Sequence, residues 1–267
     1  MSKTILITGS TDGIGLATAR QLVSKGHTVL LHGRNAEKLA IAKASMSALP
    51  GAGRVETYIA DLSRWDEVAA MATAVASAHD KLDVLINNAG VFRTPNPITP
   101  EGLDVRFAVN AIAPYLLTQR LLPMLGIAGR VINLSSAAQS PVNLDALAGR
   151  ARINDMNAYS QSKLALTTWS RQLARTLSGK GPIIVAVNPG SLLGSKMVKE
   201  GFGVDGADIN IGADILVHAA LSDDFSQASG KYFDNDTDEF AAPHPDVLDP
   251  DKAAALMLEI EAQLADS

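Results

Sequence analysis

The 267-residue sequence has no cysteine, no excess of basic residues and no long apolar run. Without cysteine, disulfides, zinc–thiolate sites and cysteine nucleophiles are excluded. The net charge of −5 provides no positive field that would attract nucleic acid. The apolar runs fall short of the roughly 20 residues of a membrane-spanning helix, and the one near the N-terminus is too short for a signal peptide. We therefore expect a soluble, cytoplasmic protein without a nucleic-acid or membrane partner.

Metal ligation is also not expected. The five histidines lack the spacing of a metal site. The acidic stretch 234–240 lacks the glycine and the spacing of a calcium-binding EF-hand loop, so we interpret it as a solvated turn.

Short apolar strands alternate with longer helical patterns along the whole chain. Strands that are apolar on both faces and are joined by helices require a parallel sheet that is covered on both sides. The sequence therefore predicts an α/β protein, a single doubly wound parallel sheet (Rossmann fold) with helices on both faces, forming one domain over residues 1–267. The predicted strands cover residues 4–9, 27–33, 54–60, 82–88, 129–136, 182–190 and 230–233. The predicted helices cover 14–26, 35–48, 63–79, 103–122, 249–264 and a stretch around Tyr159.

A glycine-rich loop, TGSTDGIG at 8–15, joins the first predicted strand to the first helix. Glycine permits a tight turn and the close approach of a pyrophosphate to the amides of a helix N-terminus. Such a pattern alone is weak, but its position after an N-terminal strand favours a dinucleotide site. The candidate cofactor-binding residues here are Gly9, Ser10, Thr11, Asp12, Gly13, Ile14 and Gly15.

Two further positions follow predicted strands. Arg34 stands where an NAD site would carry a carboxylate for the ribose 2′-hydroxyl, so an arginine favours a 2′-phosphate; the alternative is an exposed loop arginine. Asp61, followed by Leu62, can accept from an adenine amino group or cap a helix that begins near Ser63. We predict NADP(H) as the preferred cofactor, with NAD(H) possible.

The fourth predicted strand ends in INNAG at 86–90. Small residues would let a cofactor pass close to Asn88, Ala89 and Gly90, while asparagine amides tie neighbouring strands together. The alternative is an ordinary turn, which asparagine and glycine also favour.

Tyr159 and Lys163 are four residues apart, which is one helical turn. An isolated pair of this kind is usually a solvated lysine over a half-buried tyrosine. The functional alternative is a general acid whose pKa, near 10 in isolation, is lowered by the ammonium and by an oxidised nicotinamide.

In this order, the motifs resemble the short-chain dehydrogenase/reductase family from end to end. The resemblance rests on Thr8–Gly15, Asp61, Asn87–Gly90, Asn110, the serine of INLSS, Tyr159 with Lys163, and Pro189 with Gly190. It implies that Tyr159 is the acid/base, that Lys163 lowers its pKa and holds the nicotinamide ribose, and that Ser136, rather than Ser135, orients the substrate carbonyl. It further implies that Asn110 keeps a water in a proton relay with Lys163, and that Pro189 and Gly190 contact the cofactor.

One feature departs from the common pattern, since 22 residues separate Ser136 from Tyr159. The longer stretch resembles the subgroup of retinol dehydrogenase-like and WW-domain oxidoreductase-like proteins. We expect this insertion (residues 137–158) to lie near the substrate entrance and shape specificity. The glycine-rich stretch 191–208, hereafter the lid segment, is expected to be a mobile cover of the site.

The sequence thus predicts an NADP(H)-dependent oxidoreductase that interconverts a carbonyl and an alcohol of a small molecule. A reductase of conjugated C=C bonds would use the same Tyr159 and Lys163, although Ser136 favours carbonyl chemistry. A regulator that senses NADPH without turnover is a third reading, which the complete catalytic set disfavours. A homodimer or homotetramer, paired through the helices that carry Asn110 and Tyr159, is expected from the family resemblance.

Overall fold

Strands buried on both faces organise the structure, a computed structural model that describes residues 1–265. The last two residues of the predicted domain, 266–267, lie outside this range. The strands described are β1 (Thr4–Ile7), β2 (Thr28–Gly33), β3 (Val55–Ile59), β4 (Val84–Asn87), β5 (Arg130–Leu134), β6 (Ile183–Asn188), β7 (Tyr232–Asp234) and β8 (Glu239–Ala241). The predicted strands all occur, with ends within two residues of the prediction.

The helices lie between the strands and after them. They are α1 (Gly13–Ser24), α2 (Ala36–Ser47), α3 (Trp65–Ala78), α4 (Val105–Phe107), α5 (Ala113–Leu125), α6 (Leu144–Leu147), α7 (Asp155–Leu177), α8 (Lys196–Phe202), α9 (Ile209–Leu221), α10 (Pro245–Leu248) and α11 (Pro250–Ala265). A π-helix (Ala108–Ile112) and a 3-10 helix (Asp223–Phe225) complete the helical elements within residues 1–265.

The eight strands form one sheet in the order β3-β2-β1-β4-β5-β6-β7-β8, in which only the β7–β8 pairing is antiparallel among residues 1–265. Successive side chains of one strand enter opposite cores. In β1, Leu6 packs in the layer of α3, α5, α7 and α11, whereas Ile5 and Ile7 pack in the layer of α1, α2 and α9. This confirms the predicted doubly wound parallel sheet with helices on both faces.

Among the elements that the prediction missed, α9 and β8 were missed for two different reasons. Helix α9 has an apolar face, with Ile215 and Leu216 buried against the sheet, but its pattern was not recognised. The acidic stretch 234–240 was predicted to be only a solvated turn, and this is wrong at its end, because Glu239 and Phe240 belong to β8. The strand forms because Phe240 packs on the Phe233 ring of β7, with ring centroids 5.1 Å apart.

The helix predicted over 103–122 is interrupted by the π-helix. Within it, the Ala113 N–H donates to the Ala108 carbonyl, five residues back instead of four. Pro114 follows directly, and because proline has no N–H, the Asn110 carbonyl lacks the donor that an α-helix would give it. The widened turn therefore lies at the predicted catalytic residue Asn110.

The C-terminal helix covers the outside of the catalytic helix. α11 packs on α7 and on α6, and its Glu261 accepts a hydrogen bond from the Tyr115 hydroxyl of α5 at 3.1 Å. The face through which we expected two copies to pair is therefore occupied by the chain's own α11. Within residues 1–265, helices of the length and apolarity needed to cross a membrane are not found.

The aromatic cluster beside β7 gives a test of the packing. Phe225 is almost fully buried and contacts Phe233 and Phe240 at 5.2 Å each, whereas Phe240 itself is 38% exposed. We expect Phe225→Ala to lower the free energy of unfolding by about 3–5 kcal/mol, since it leaves a cavity in the core. Phe240→Ala, the control, should cost only about 1–2 kcal/mol, because more than a third of this residue is already exposed and no closed cavity is left. Urea unfolding of both variants checks this, and equal losses would contradict it.

Candidate active site

The glycine loop packs against the end of β4. Gly9 has a φ of 65°, and a Cβ built there would lie 2.8 Å from the Ala89 Cα. A Cβ at Gly15 would lie 2.3 Å from the Asn88 amide nitrogen. Thus two of the three predicted glycines are required by this packing, and the loop passes close to Ala89 before it enters α1. Asp12 caps α1 by accepting from the Gly13 N–H.

Hydrogen bonds join the ends of β1 and β4. Asn88 donates from its side-chain amide to the carbonyls of Thr8 and Gly9, at 2.9 and 3.0 Å. The Thr8 hydroxyl accepts from the backbone N–H groups of Asn88 and Ala89. One strand further, Asn87 donates to Asn133 of β5 at 2.8 Å, so the predicted role of the asparagines in tying strands together is confirmed.

His32 supports the loop from β2. Its Nδ1 accepts from the Gly9 N–H at 3.1 Å, and Nε2 lies 3.1 Å from the Ala60 carbonyl. Burial lowers the pKa of His32 to about 4, so the ring is neutral at physiological pH and donates from Nε2. Ser10 is also buried. Its hydroxyl donates to the His32 carbonyl and accepts from the His32 N–H, and these two bonds hold it against β2. The sequence analysis did not recognise the supporting roles of His32 and Thr8.

Arg34 and Asp61 stand together at one end of the site. The Arg34 guanidinium is 65% exposed, and its NH1 lies 3.8 Å from an Asp61 oxygen. The other Asp61 oxygen accepts from the backbone N–H and the hydroxyl of Ser63. Asp61 therefore closes a short turn rather than capping a helix, because α3 begins only at Trp65. An exposed guanidinium remains free to turn toward an anionic group.

Tyr159 and Lys163 lie on the first turns of α7, at the other end of the site. The Lys163 ammonium donates to the Leu134 carbonyl at 2.7 Å and lies 5.7 Å from the centre of the Tyr159 ring. Burial lowers the pKa of Lys163 to about 8. Burial also raises the pKa of Tyr159, while a hydrogen bond with Ser136 acts in the opposite direction. In the protein alone burial is the larger effect, so the pKa of Tyr159 is raised, contrary to the predicted lowering.

The two adjacent serines after β5 face different partners. Ser135 is buried and shares a 2.7 Å hydrogen bond with Thr167 of α7. Ser136 is half-buried and interacts with the Tyr159 phenol, and its hydroxyl accepts from the Ala138 N–H. The arrangement agrees with the choice of Ser136 as the residue beside Tyr159.

The Asn110 side chain is held by the chain that follows Gly90. Its Oδ1 accepts from the Val91 N–H at 2.7 Å, and its Nδ2 donates to the Val91 carbonyl and to the Ser162 hydroxyl. The side chain is therefore fully engaged, and the backbone carbonyl receives no N–H from Pro114.

A cleft of about 830 Å³ runs from Arg34 to Tyr159 along the carboxyl edge of the sheet. This volume suits a dinucleotide and a small substrate. Within residues 1–265, five of the predicted residues do not line the cleft and lie behind or beside its wall: Ser10, Gly15, Asn110, Ser136 and Gly190. The predicted residues that line it are Gly9, Thr11, Asp12, Gly13, Ile14, Arg34, Asp61, Leu62, Asn88, Ala89, Gly90, Tyr159, Lys163 and Pro189.

The insertion does not shape this cleft, contrary to the expectation. Of residues 1–265, those lining it include none from 137–158. α6 buries Ala146 and Leu147 and packs against α11, and Arg150 bonds Glu259 of that helix. From α6 onward the insertion lies on the outer side of α7, because its apolar residues pair with α11, and only its start, where the Ala138 N–H bonds Ser136, adjoins the site.

Residues 91–100, hereafter the substrate wall, border the cleft instead. Residues 91–96 and 98–100 of this segment all line it, and the sequence analysis had given them no role. The Phe92 ring contacts the Tyr159 ring, with centroids 5.2 Å apart. The lid segment forms α8 above it, where Phe202 stacks on Phe92 at 5.4 Å. The lid segment thus lies over the site as expected, and its mobility stays a prediction.

These features together define an oxidoreductase that acts on CH–OH groups. A dinucleotide-sized cleft meets a Tyr–Lys pair and a serine at the ends of parallel strands. A family model described as short chain dehydrogenase matches residues 3–203, and the chain belongs to this family.

Relatives agree with the predicted subgroup. The chain is 31% identical to human (Homo sapiens) retinol dehydrogenase 13 over 276 residues, covering 96% of this chain and 83% of that protein. It is 32% identical to the chloroplastic short-chain dehydrogenase TIC 32 A of Brassica napus, covering 86% and 79%. Among solved structures, a short chain dehydrogenase from Burkholderia cenocepacia J2315 in complex with NADP is 28% identical, with a TM-score of 0.71 and coverage of 87% and 95%. The chain is thus a short-chain dehydrogenase of the retinol dehydrogenase-like subgroup.

Alanine substitutions at two glycines distinguish a role in packing from a role in cofactor binding. A Cβ at Gly15 meets Asn88 at 2.3 Å, whereas a Cβ at Gly90 meets its nearest neighbours, Asn110 and Met197, only at 3.6 Å. We expect Gly15→Ala to destabilise the protein by about 1–3 kcal/mol, because the strand ends must move apart. Gly90→Ala should leave the melting temperature unchanged and weaken dinucleotide binding, since its methyl group faces the cleft. Thermal melts and cofactor titrations check both, and a stable Gly15→Ala protein would contradict the packing argument.

Proposed function

We propose that the chain is an NADP(H)-dependent oxidoreductase that interconverts a carbonyl and an alcohol. The observation that carries this is the meeting of Tyr159, Ser136 and Lys163 at one end of a cleft whose other end presents Arg34. The structure of the Burkholderia cenocepacia relative in complex with NADP supports the choice of cofactor.

The residues that line the cleft fit such a cofactor. The N-terminus of α1 and the small residues of the glycine loop leave backbone amides open toward a pyrophosphate. Arg34, which is mostly exposed, would pair with the 2′-phosphate. Near Lys163, a Cβ added at Gly90 would already be in van der Waals contact with the ammonium nitrogen, at 3.7 Å, so glycine keeps free the side from which a ribose would approach Lys163. When bound, the nicotinamide supplies the hydride in reduction and accepts it in oxidation.

Tyr159 and Ser136 act on the reacting oxygen. Negative charge builds on a carbonyl oxygen as it is reduced, and two hydroxyl donors stabilise that charge. The Tyr159 phenol then gives its proton to the oxygen, which yields the alcohol; in oxidation the phenolate takes the proton back. Burial keeps the phenol protonated in the free protein, which suits the reducing direction.

Lys163 and Asn110 complete the set. The ammonium, fixed by the Leu134 carbonyl, favours the Tyr159 phenolate after the proton has left. We infer that the Asn110 backbone carbonyl holds a water through which Lys163 exchanges protons with solvent. Pro114 supports this role, because it withholds the N–H that would otherwise occupy the carbonyl.

A serine hydroxyl beside the phenol favours carbonyl reduction over reduction of a conjugated C=C bond. A screen of NADPH consumption over aldehydes, ketones, quinones and enones tests the choice between them. Turnover of enones alone would overturn the proposed reaction. A cytoplasmic location stays a prediction, since the relatives include a chloroplastic protein.

Arg34 provides the test of cofactor choice. We expect the wild type to bind NADPH at least about ten-fold more tightly than NADH, because a charge-assisted pair with the 2′-phosphate is worth roughly 1.5–3 kcal/mol. Arg34→Ala should lose this preference while its NADH affinity stays within about two-fold, as no NADH contact depends on the guanidinium. Fluorescence titration with both cofactors measures this. Equal binding of the two by the wild type would refute the assignment.

Tyr159 and Lys163 provide the test of catalysis. Tyr159→Phe should retain NADPH affinity and lose about 10²–10⁴-fold in kcat, since only the proton donor is removed. Lys163→Met should weaken both NADPH binding and turnover, because a ribose contact is lost with the charge. Steady-state kinetics and titrations distinguish the two variants. Wild-type kcat in Tyr159→Phe would show that another group is the acid.

A further inference from the structure

A buried arginine without a role in the reaction lies behind the site. The Arg106 side chain, in α4, is only 2% exposed. Its guanidinium forms a two-pronged pair with Asp104, through Nε at 2.8 Å and NH2 at 2.6 Å. NH1 donates to the Phe92 carbonyl at 3.2 Å and to an Asp155 oxygen at 2.6 Å. One planar group thus bonds three separate parts of the chain.

Each of these three parts carries a piece of the candidate active site. Phe92 belongs to the substrate wall, and its ring contacts the Tyr159 ring. Asp155 begins α7 and precedes Tyr159 by one helical turn. Arg106 itself precedes Asn110 by one turn and leads into the π-helix. The backbone of the substrate wall and the start of the catalytic helix therefore meet at a single guanidinium.

Burying this cation is costly unless it is fully hydrogen-bonded. Asp104 and Asp155 compensate the charge, and the fork shape of the guanidinium matches the carboxylate of Asp104. Burial opposes the charged form, yet the two carboxylates raise the pKa of Arg106 above its ordinary value. The geometry is therefore rigid, because losing any one partner leaves a buried charge partly unsatisfied.

We propose that Arg106 is a positioning residue that fixes the substrate wall at Phe92 against the catalytic helix at Tyr159, and so sets the width of the space in which the carbonyl is held. The proposal rests on the function proposed above for Tyr159. Arg106 acts through Phe92 and Asp155 and does not itself touch the reacting atoms. Asp155 is the exposed half of this link, since its side chain is 52% exposed.

Asp155 and Asp145 form a matched pair for the test. Each lies in the first turn of its helix, each comes after an asparagine cap, and each accepts from an arginine. Asp145 differs because its partner, Arg150, lies in the insertion outside the cleft. Asp155→Ala thus loses the link to the buried Arg106. Asp145→Ala loses an ion pair of the same kind with Arg150, which is exposed.

Amide hydrogen exchange of the two variants, measured with NADPH bound, tests the link between the substrate wall and α7 without a substrate. We expect Asp155→Ala to exchange about five-fold faster over residues 91–104 as well as over 155–160, because the wall is released together with the helix start. Asp145→Ala should leave both segments as in the wild type. Faster exchange confined to residues 154–157 of Asp155→Ala would be ordinary helix fraying and would overturn the proposal.

Kinetics then show whether the link matters for the reaction. With the best carbonyl from the NADPH screen, Asp155→Ala should lose about ten-fold in kcat and Arg106→Met about 10²-fold, with NADPH affinity within about two-fold of wild type in both. Adding Asp155→Ala to Arg106→Met should cost nothing further, because the two act through one contact. Additive losses, or losses shared by Asp145→Ala, would refute the assignment.

The two readouts keep this proposal separate from the proposed function. Coupled exchange in a protein that reduces no carbonyl in the screen would overturn the function and leave the structural link intact. Carbonyl reduction that depends on Tyr159, combined with uncoupled exchange in Asp155→Ala, would leave the function intact and remove Arg106 from it.

Discussion

The site depends on how the polar backbone is satisfied where the parallel strands end. Strands buried on both faces carry their N–H and C=O groups to one edge, where water is partly excluded and each group needs a partner. Here the partners of the β1 and β4 ends are side chains: the Asn88 amide donates to the carbonyls of Thr8 and Gly9, and the Thr8 hydroxyl accepts from the N–H groups of Asn88 and Ala89. Their short reach brings the two strand ends together and requires Gly9 and Gly15 between them. The same requirement for small residues leaves an open floor on which a dinucleotide can lie.

Burial of the catalytic groups follows from the same architecture. α7 lies across the sheet and is covered outside by α11, so Lys163 has the Leu134 carbonyl as a partner and little solvent. The low polarity lowers the pKa of Lys163 to about 8 and raises that of Tyr159. Both shifts favour neutral groups in the protein alone. The positive charge of an oxidised nicotinamide would oppose the shift at Tyr159, which would couple the protonation of the phenol to the oxidation state of the cofactor.

The half of the site that binds the cofactor was largely predictable, because its signals are local. Glycines after a strand, small residues after β4 and a tyrosine four residues before a lysine are visible in short windows of sequence. The π-helix was not predicted as such, although Pro114 is a local cause that could have suggested it. α9 was missed through an unrecognised apolar pattern, and β8 because it is only three residues long, directly follows an acidic turn and forms by pairing with β7.

The substrate half could not be predicted in the same way, because long-range contacts define it. Length alone suggested that the insertion would border the entrance, but Ala146 and Leu147 find their apolar partners on α11, more than 100 residues away in sequence. In the proposal above, Arg106 holds the substrate wall at the cleft. Its partner in the wall, Phe92, precedes it in the chain, and its partner in α7, Asp155, follows it by 49 residues. Cofactor binding thus relies on backbone and small residues in fixed local order. On the proposed function, substrate choice would instead rely on long side chains, such as those of Phe92 and Arg106, that only tertiary structure brings together.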